Sequence, residues 1–96
     1  MMAQIAIVDD HPIFLDGMAQ FLSSHGHDVI FCARSVDEAI SRLQAEQPDL
    51  LILDVSMKDG GGLAILSAIR SSGNTVPVIF MTVHIRPDQT LEAIKL

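Results

Sequence analysis

Three aspartates stand where short apolar runs stop. Asp9 and Asp10 follow Ile5-Ala6-Ile7-Val8, and Asp54 follows Leu50-Leu51-Ile52-Leu53. A third run, Val78-Ile79-Phe80-Met81, ends at Thr82. Carboxylates gathered in one place repel one another, which raises the pKa of at least one unless a cation compensates. Carboxylate and carbonyl oxygens are the natural ligands of a hard ion, and Mg2+ takes one or two carboxylates together with waters and phosphate oxygens. An aspartate at a strand end can also attack a phosphoryl group and become an aspartyl phosphate. A metal would then offset charge on the transferred group, and a threonine hydroxyl could donate to a phosphoryl oxygen. Each residue also has a plain structural role: an aspartate after a strand caps a helix or forms a turn, and a threonine ends the strand.

The elements that must position these groups are legible in the same runs. Continuous apolar stretches of about four, rich in branched residues, suit strands buried on both faces, as in a parallel sheet. Val29-Ile30-Phe31-Cys32-Ala33 is a fourth candidate strand, nearer an edge. Between the runs the period becomes helical. Phe14, Met18, Phe21 and Leu22 recur at helical spacing as a predicted core face, with Pro12 in the first turn and Gly26 as the stop. Ser35 and Glu38 read as a capping box before the stripe Val36, Ala39, Ile40 and Leu43, which Pro48 closes. Leu63, Leu66 and Ile69, with Ile65, mark a third helix ending near Ser72-Gly73, and Leu91 and Ile94 open a fourth. Strict β-α alternation predicts an open α/β sheet with helices on both faces and right-handed crossovers. The functional crevice of such a sheet lies at the carboxyl ends of its strands, where Asp9, Asp10, Asp54 and Thr82 all fall.

The totals narrow the classes. Ninety-six residues allow one domain, and 49% hydrophobic against 19% charged residues excludes a disordered segment. Twelve acids against six bases give a net charge of −6. The bases (Arg34, Arg42, Lys58, Arg70, Arg86, Lys95) are scattered, which argues against direct nucleic-acid contact. A single cysteine, Cys32, forms no internal disulfide and suits a reducing cytoplasm, where it reads as a small buried hydrophobe. No signal peptide is visible and no apolar run approaches the ~18 residues of a membrane span. His11, His25, His27 and His84 lack the spacing of a zinc site and read as solvated or capping residues, His11 lying nearest the acids.

Val8-Asp9-Asp10-His11-Pro12, Leu53-Asp54-Val55-Ser56-Met57 and Phe80-Met81-Thr82 resemble, in order and spacing, the motifs of response-regulator receiver domains from bacterial two-component signalling. The Asp-Asp-His-Pro start, with Phe14 and Gly17 following, is most similar to receivers joined to LuxR-type helix-turn-helix output domains. The resemblance implies a flavodoxin-like fold and roles at matching positions. Asp54 would be the phosphoacceptor, and Asp9 and Asp10 the acidic pair that holds Mg2+ with it. Ser56 would lend its backbone carbonyl to the metal, and Thr82 would be the switch hydroxyl. Val83 takes a place where the family commonly has a small residue. Where the family reads Met-Pro-Gly-Met-Asp-Gly, this chain has Met57-Lys58-Asp59-Gly60-Gly61-Gly62. Lost proline and added glycine predict a more mobile loop, from which Lys58 could reach a phosphoryl group or simply be solvated.

By the same resemblance, residues 1–96 are an incomplete receiver. The end of helix 4, strand 5 and helix 5 would be missing, leaving strand order 2-1-3-4. The family lysine of strand 5 is not matched by Lys95, and losing one such contact would cost ~2.7–4 kcal/mol of transition-state stabilisation. The strand Val78-Met81 would become an apolar edge, a template for a homodimer or swapped oligomer. The implied function is a cytoplasmic phosphoacceptor that receives its phosphoryl group from a sensor histidine kinase and controls a transcriptional output domain. It would not be an enzyme, although it would contribute to its own phosphorylation and dephosphorylation. The alternative is a non-phosphorylated interaction or assembly module, a pseudo-receiver. A Mg2+-dependent phosphohydrolase would need a second aspartate two residues after Asp54, where Ser56 stands.

Overall fold

Alternation of side chains along a strand sends Ala6 and Val8 to one face of the sheet and Ile5 and Ile7 to the other, and all four are buried. Both faces are covered, so the strand sequences show no polar alternation. The computed structural model describes residues 3–55, 57 and 61–81. Ser56, Lys58, Thr82, Val83, His84, Lys95 and the predicted fourth helix lie outside the described residues.

The elements run β1 (Gln4–Val8), α1 (Pro12–Ser24), β2 (Asp28–Ala33), α2 (Val36–Ala45), β3 (Leu50–Asp54), α3 (Gly61–Ser71) and β4 (Val78–Met81). The strands form one parallel sheet in the order β2-β1-β3-β4, as expected, with β2 at an edge. One apolar cluster joins Ala6, Val8, Leu51 and Leu53 to Ala39 and Leu43 of α2 and Ile65 and Ile69 of α3. The other joins Ile5, Ile7 and Ile52 to Leu15 of α1, with Met18, Ala19 and Leu22 packed against it. No helix among the described residues is long and apolar enough to cross a membrane.

Local signals act as expected at the helix ends. Ser35 Oγ accepts from the Glu38 N–H at 3.1 Å, and the Glu38 carboxylate accepts from the Arg34 N–H at 2.7 Å. Gly26 and Gly73, both at positive φ, follow the ends of α1 and α3. In each case the next residue's N–H returns to the carbonyl five residues back, His27 to Leu22 and Asn74 to Ile69, which satisfies the last turn.

Two helix faces differ from expectation. Phe21 is 57% exposed and packs on the His25 ring, while Leu15 takes the buried place in α1. Leu63 is 66% exposed, and Ile65 is the residue of α3 sealed in the core. A 3.6-residue period admits several overlapping stripes, and the sheet surface selects among them.

Candidate functional site

In the register of β1 and β3, Val8 lies opposite Leu53, so the next residues, Asp9 and Asp54, leave the sheet side by side. Neither backbone is loose there. The Asp9 N–H donates to the Ala33 carbonyl at 3.0 Å, and the Val55 N–H donates to the Met81 carbonyl at 3.0 Å, which carries both ladders one residue further. Each aspartate is only 1% exposed. Parallel pairing thus delivers two buried carboxyls to one point at the carboxyl end of the sheet.

The β1–α1 turn adds two more groups. The His11 N–H donates to Asp9 Oδ1 at 2.8 Å, an Asx-type turn. His11 Nδ1 lies 2.8 Å from Asp10 Oδ1 and 3.6 Å from Asp9 Oδ1. Asp9, Asp10 and His11 each bring one ligand atom to within 4.8 Å of the others. Asp54 is not in that group, but its charge acts on Asp9 from the end of β3.

Burial pushes the Asp9 carboxyl above the usual aspartate range, and the charges of Asp54 and Asp10 add to this. The His11 N–H and the His11 ring act in the opposite direction. Asp9 Oδ2 is buried and has no hydrogen-bond partner among the described residues. A buried carboxylate oxygen left without a donor is costly unless a cation takes that place. With the neighbouring carboxyl oxygens, the donor set fits a hard divalent ion.

Three predicted site residues, Asp9, Asp10 and Asp54, are therefore brought together. Ser56, Lys58 and Thr82 lie outside the described residues, though β4 ends at Met81, one residue before Thr82. Two further contributors were not in the predicted site, although His11 was expected to lie nearest the acids. His11 occupies the N-cap of α1 but makes no side-chain cap bond, and its ring joins the acids instead. Gly61 and Gly62 belong to the buried first turn of α3 and not to the loop, which qualifies the expectation of loop mobility. A Cβ on Gly62 would lie 2.9 Å from the Asp54 carbonyl oxygen and 3.2 Å from the Phe80 ring. A Cβ on Gly61, at φ +71°, would lie 2.7 Å from the Val55 carbonyl oxygen. The glycine run was the available signal: it marks a close backbone approach as well as flexibility.

The model of the response regulator receiver domain matches residues 5–96. The chain belongs to that family. This receiver is 37% identical over 81 residues to the nitrate/nitrite response regulator protein NarP of Escherichia coli (strain K12), a match covering 83% of this chain and 38% of NarP. It is 31% identical over 94 residues to the DNA-binding transcriptional activator DevR/DosR of Mycobacterium tuberculosis, covering 97% of this chain and 43% of that protein. The receiver thus spans about two fifths of the length of these curated relatives. Among solved structures, a LuxR-family two-component response regulator from Aurantimonas sp. SI85-9A1 superposes with a TM-score of 0.81 at 26% identity, covering 99% of this chain and 69% of that one.

Proposed function

We propose that this receiver is a phosphoacceptor module of a two-component system, with Asp54 as the residue phosphorylated. The observation that carries the reading is the pair of buried carboxyls, Asp9 and Asp54, at adjacent strand ends, with Asp9 Oδ2 lacking a donor among the described residues. In the proposed step a carboxylate oxygen of Asp54 attacks the phosphorus of a phosphohistidine on a sensor kinase. The P–N bond breaks as the acyl phosphate forms, and its electron pair stays with the imidazole. Asp9, Asp10 and Asp54, with the backbone carbonyl of Ser56, would hold Mg2+. When bound, that ion supplies the positive charge that phosphoryl transfer develops a need for. Thr82 would place its hydroxyl on a phosphoryl oxygen, and Lys58 would offer a second cation. The domain is then a substrate that assists its own modification, and we place it in the cytoplasm. Relatives named as a nitrate/nitrite response regulator and a DNA-binding transcriptional activator support a transcriptional output.

The test is acetyl phosphate or beryllofluoride with Mg2+, applied to wild type and Asp54→Asn. A Mg2+-dependent adduct by intact mass on wild type, lost in Asp54→Asn, is expected. Absence of any adduct on wild type would overturn active phosphotransfer and leave the interaction-module reading.

A second reading concerns assembly. Ile79 and Phe80 of β4 are 47% and 40% exposed, and among the described residues β4 pairs only with β3. An apolar strand edge is suited to pairing with a second copy.

A further inference from the structure

We propose that the cleft between the C-terminal ends of α2 and α3 binds a small primary amine, whose aliphatic body lies between the helices and whose ammonium head meets their terminal carbonyls. The cleft lies at the amino ends of β3 and β4, at the opposite end of the sheet from Asp9 and Asp54. It is independent of the role proposed for those aspartates.

The cavity has a volume of about 480 Å3, within the range of small-molecule pockets. Ile40 and Leu43 of α2 and Ala68 and Ile69 of α3 line it, and Leu43 and Ile69 belong to the buried cluster that fixes both helices on the sheet. That lining suits an aliphatic chain. The exposed Gln44, Gln47 and Thr75 add uncharged amides and a hydroxyl. Among the described residues no acidic or basic side chain lines the cavity. Arg70, on the last turn of α3, is committed to the Asn74 and Val76 carbonyls, to which it donates at 2.9 and 2.7 Å.

With no ionic side chain in the lining, the backbone selects the head group. α2 and α3 run the same way across the parallel sheet and both end here, each with a partial negative charge at its C-terminus. Their last carbonyls are used differently. α3 closes on Gly73, and both the Asn74 N–H and the Ser72 hydroxyl donate to the Ile69 carbonyl. α2 has no such return. Its chain is extended at Glu46, whose N–H donates to the Arg42 carbonyl. The carbonyls of Leu43, Gln44 and Ala45 accept no backbone N–H among the described residues. Carbonyls in the last turn point along the helix axis past its end, and there Gln47 and Pro48 line the cavity. An ammonium brings three donors and a full positive charge to these acceptors, an alcohol one donor and a carboxylate none. The net charge of −6 adds a field of the same sign.

The experiment is titration of the full chain at neutral pH with hexylamine, hexanol and hexanoate, which share one body and differ in the head, followed by the methyl resonances of Ile40, Leu43 and Ile69. Hexylammonium should shift those methyls and saturate with a Kd of about 1 mM. It should bind about tenfold more tightly than hexanoate, with hexanol between them. Ala68→Leu keeps a good helix former in α3 and fills the cavity, so it should weaken hexylammonium by about tenfold. Gln44→Lys, at an exposed position, places a cation beside the cavity; it should weaken hexylammonium about fivefold and strengthen hexanoate. Should Ala68→Leu not fold, the opposite responses of the two ions to Gln44→Lys decide alone. Equal affinities for the three heads, shifts centred on Ile79 and Phe80 in place of the lining methyls, or hexylammonium binding unchanged in Gln44→Lys would each overturn the inference. So would the absence of saturation by hexylamine up to about 20 mM.

Discussion

Asp9 is the residue at which folding and function conflict most directly. Its carboxyl is buried, its pKa is raised first by that burial, and two other aspartates crowd it. The folded state therefore holds this proton to a higher pH than the unfolded chain does. Without divalent ions, stability should rise as pH falls through the raised pKa toward the ordinary aspartate value, and the penalty is fully present above the raised pKa. At neutral pH, Asp9→Asn should consequently raise the urea midpoint of the metal-free protein. Divalent ions should reverse the ranking. An ion that binds only the folded state adds about 2.7 kcal/mol at one hundred times its Kd. Wild type should show that gain with Mg2+ and Asp9→Asn should not. Equal Mg2+ stabilisation of the two proteins would remove Asp9 from the metal set. The half-buried Cys32 illustrates the same effect without function: burial pushes its thiol up, as a packed side chain requires.

At the scale of elements, identity and order were readable while orientation was not. Periodicity placed α1 and α3 correctly and included Ile65, but it also put Phe21 and Leu63 on the core faces, where the structure exposes both, and it missed Leu15. Leu15→Ala should therefore cost about 2–5 kcal/mol in denaturant unfolding, whereas Phe21→Ala should cost under about 1. Equal losses would return Phe21 to the core. The first turn of α3 carries a second prediction. A methyl on Gly62 meets the Asp54 carbonyl oxygen, a backbone atom held in the sheet, and the Phe80 ring. Gly62→Ala should destabilise by about 1–3 kcal/mol. It should also slow phosphorylation by acetyl phosphate by up to about a hundredfold, because Asp54, the proposed acceptor, is displaced. Gly17 is the control. Its Cβ position meets nothing within 4 Å, so Gly17→Ala should stabilise α1 by about 0.5–1 kcal/mol and leave phosphorylation unchanged.

For the whole molecule, a parallel sheet flanked by helices explains why the aspartates meet. β1 and β3 are 45 residues apart in pairing, Ile5 opposite Leu50, and only the crossovers through α1, β2 and α2 bring them into register. The opposite edge raises the question of assembly. With Ile79 and Phe80 exposed on β4, apparent mass in size-exclusion chromatography with light scattering should rise with concentration. A charge at that edge, Ile79→Lys, should hold the chain monomeric. A wild-type monomer at every concentration would exclude pairing through β4.

The sequence by itself determined the alternation of strands and helices, the strands that run up to Asp9, Asp54 and Met81, the Ser35 cap and the family motifs. These depend on residue type and on neighbours a few positions away, where composition and period act directly. Only the tertiary structure decided which stripe of each helix faces inward, that Gly61 and Gly62 bring α3 against the Asp54 backbone, and that the His11 ring turns to the acids. It also decided that Asp9 Oδ2 is buried without a donor among the described residues. Those outcomes depend on contacts between segments far apart in the chain, which local period cannot encode. The chemistry of the pocket arises from that long-range register, since it is what converts separate aspartates into one electrostatic unit.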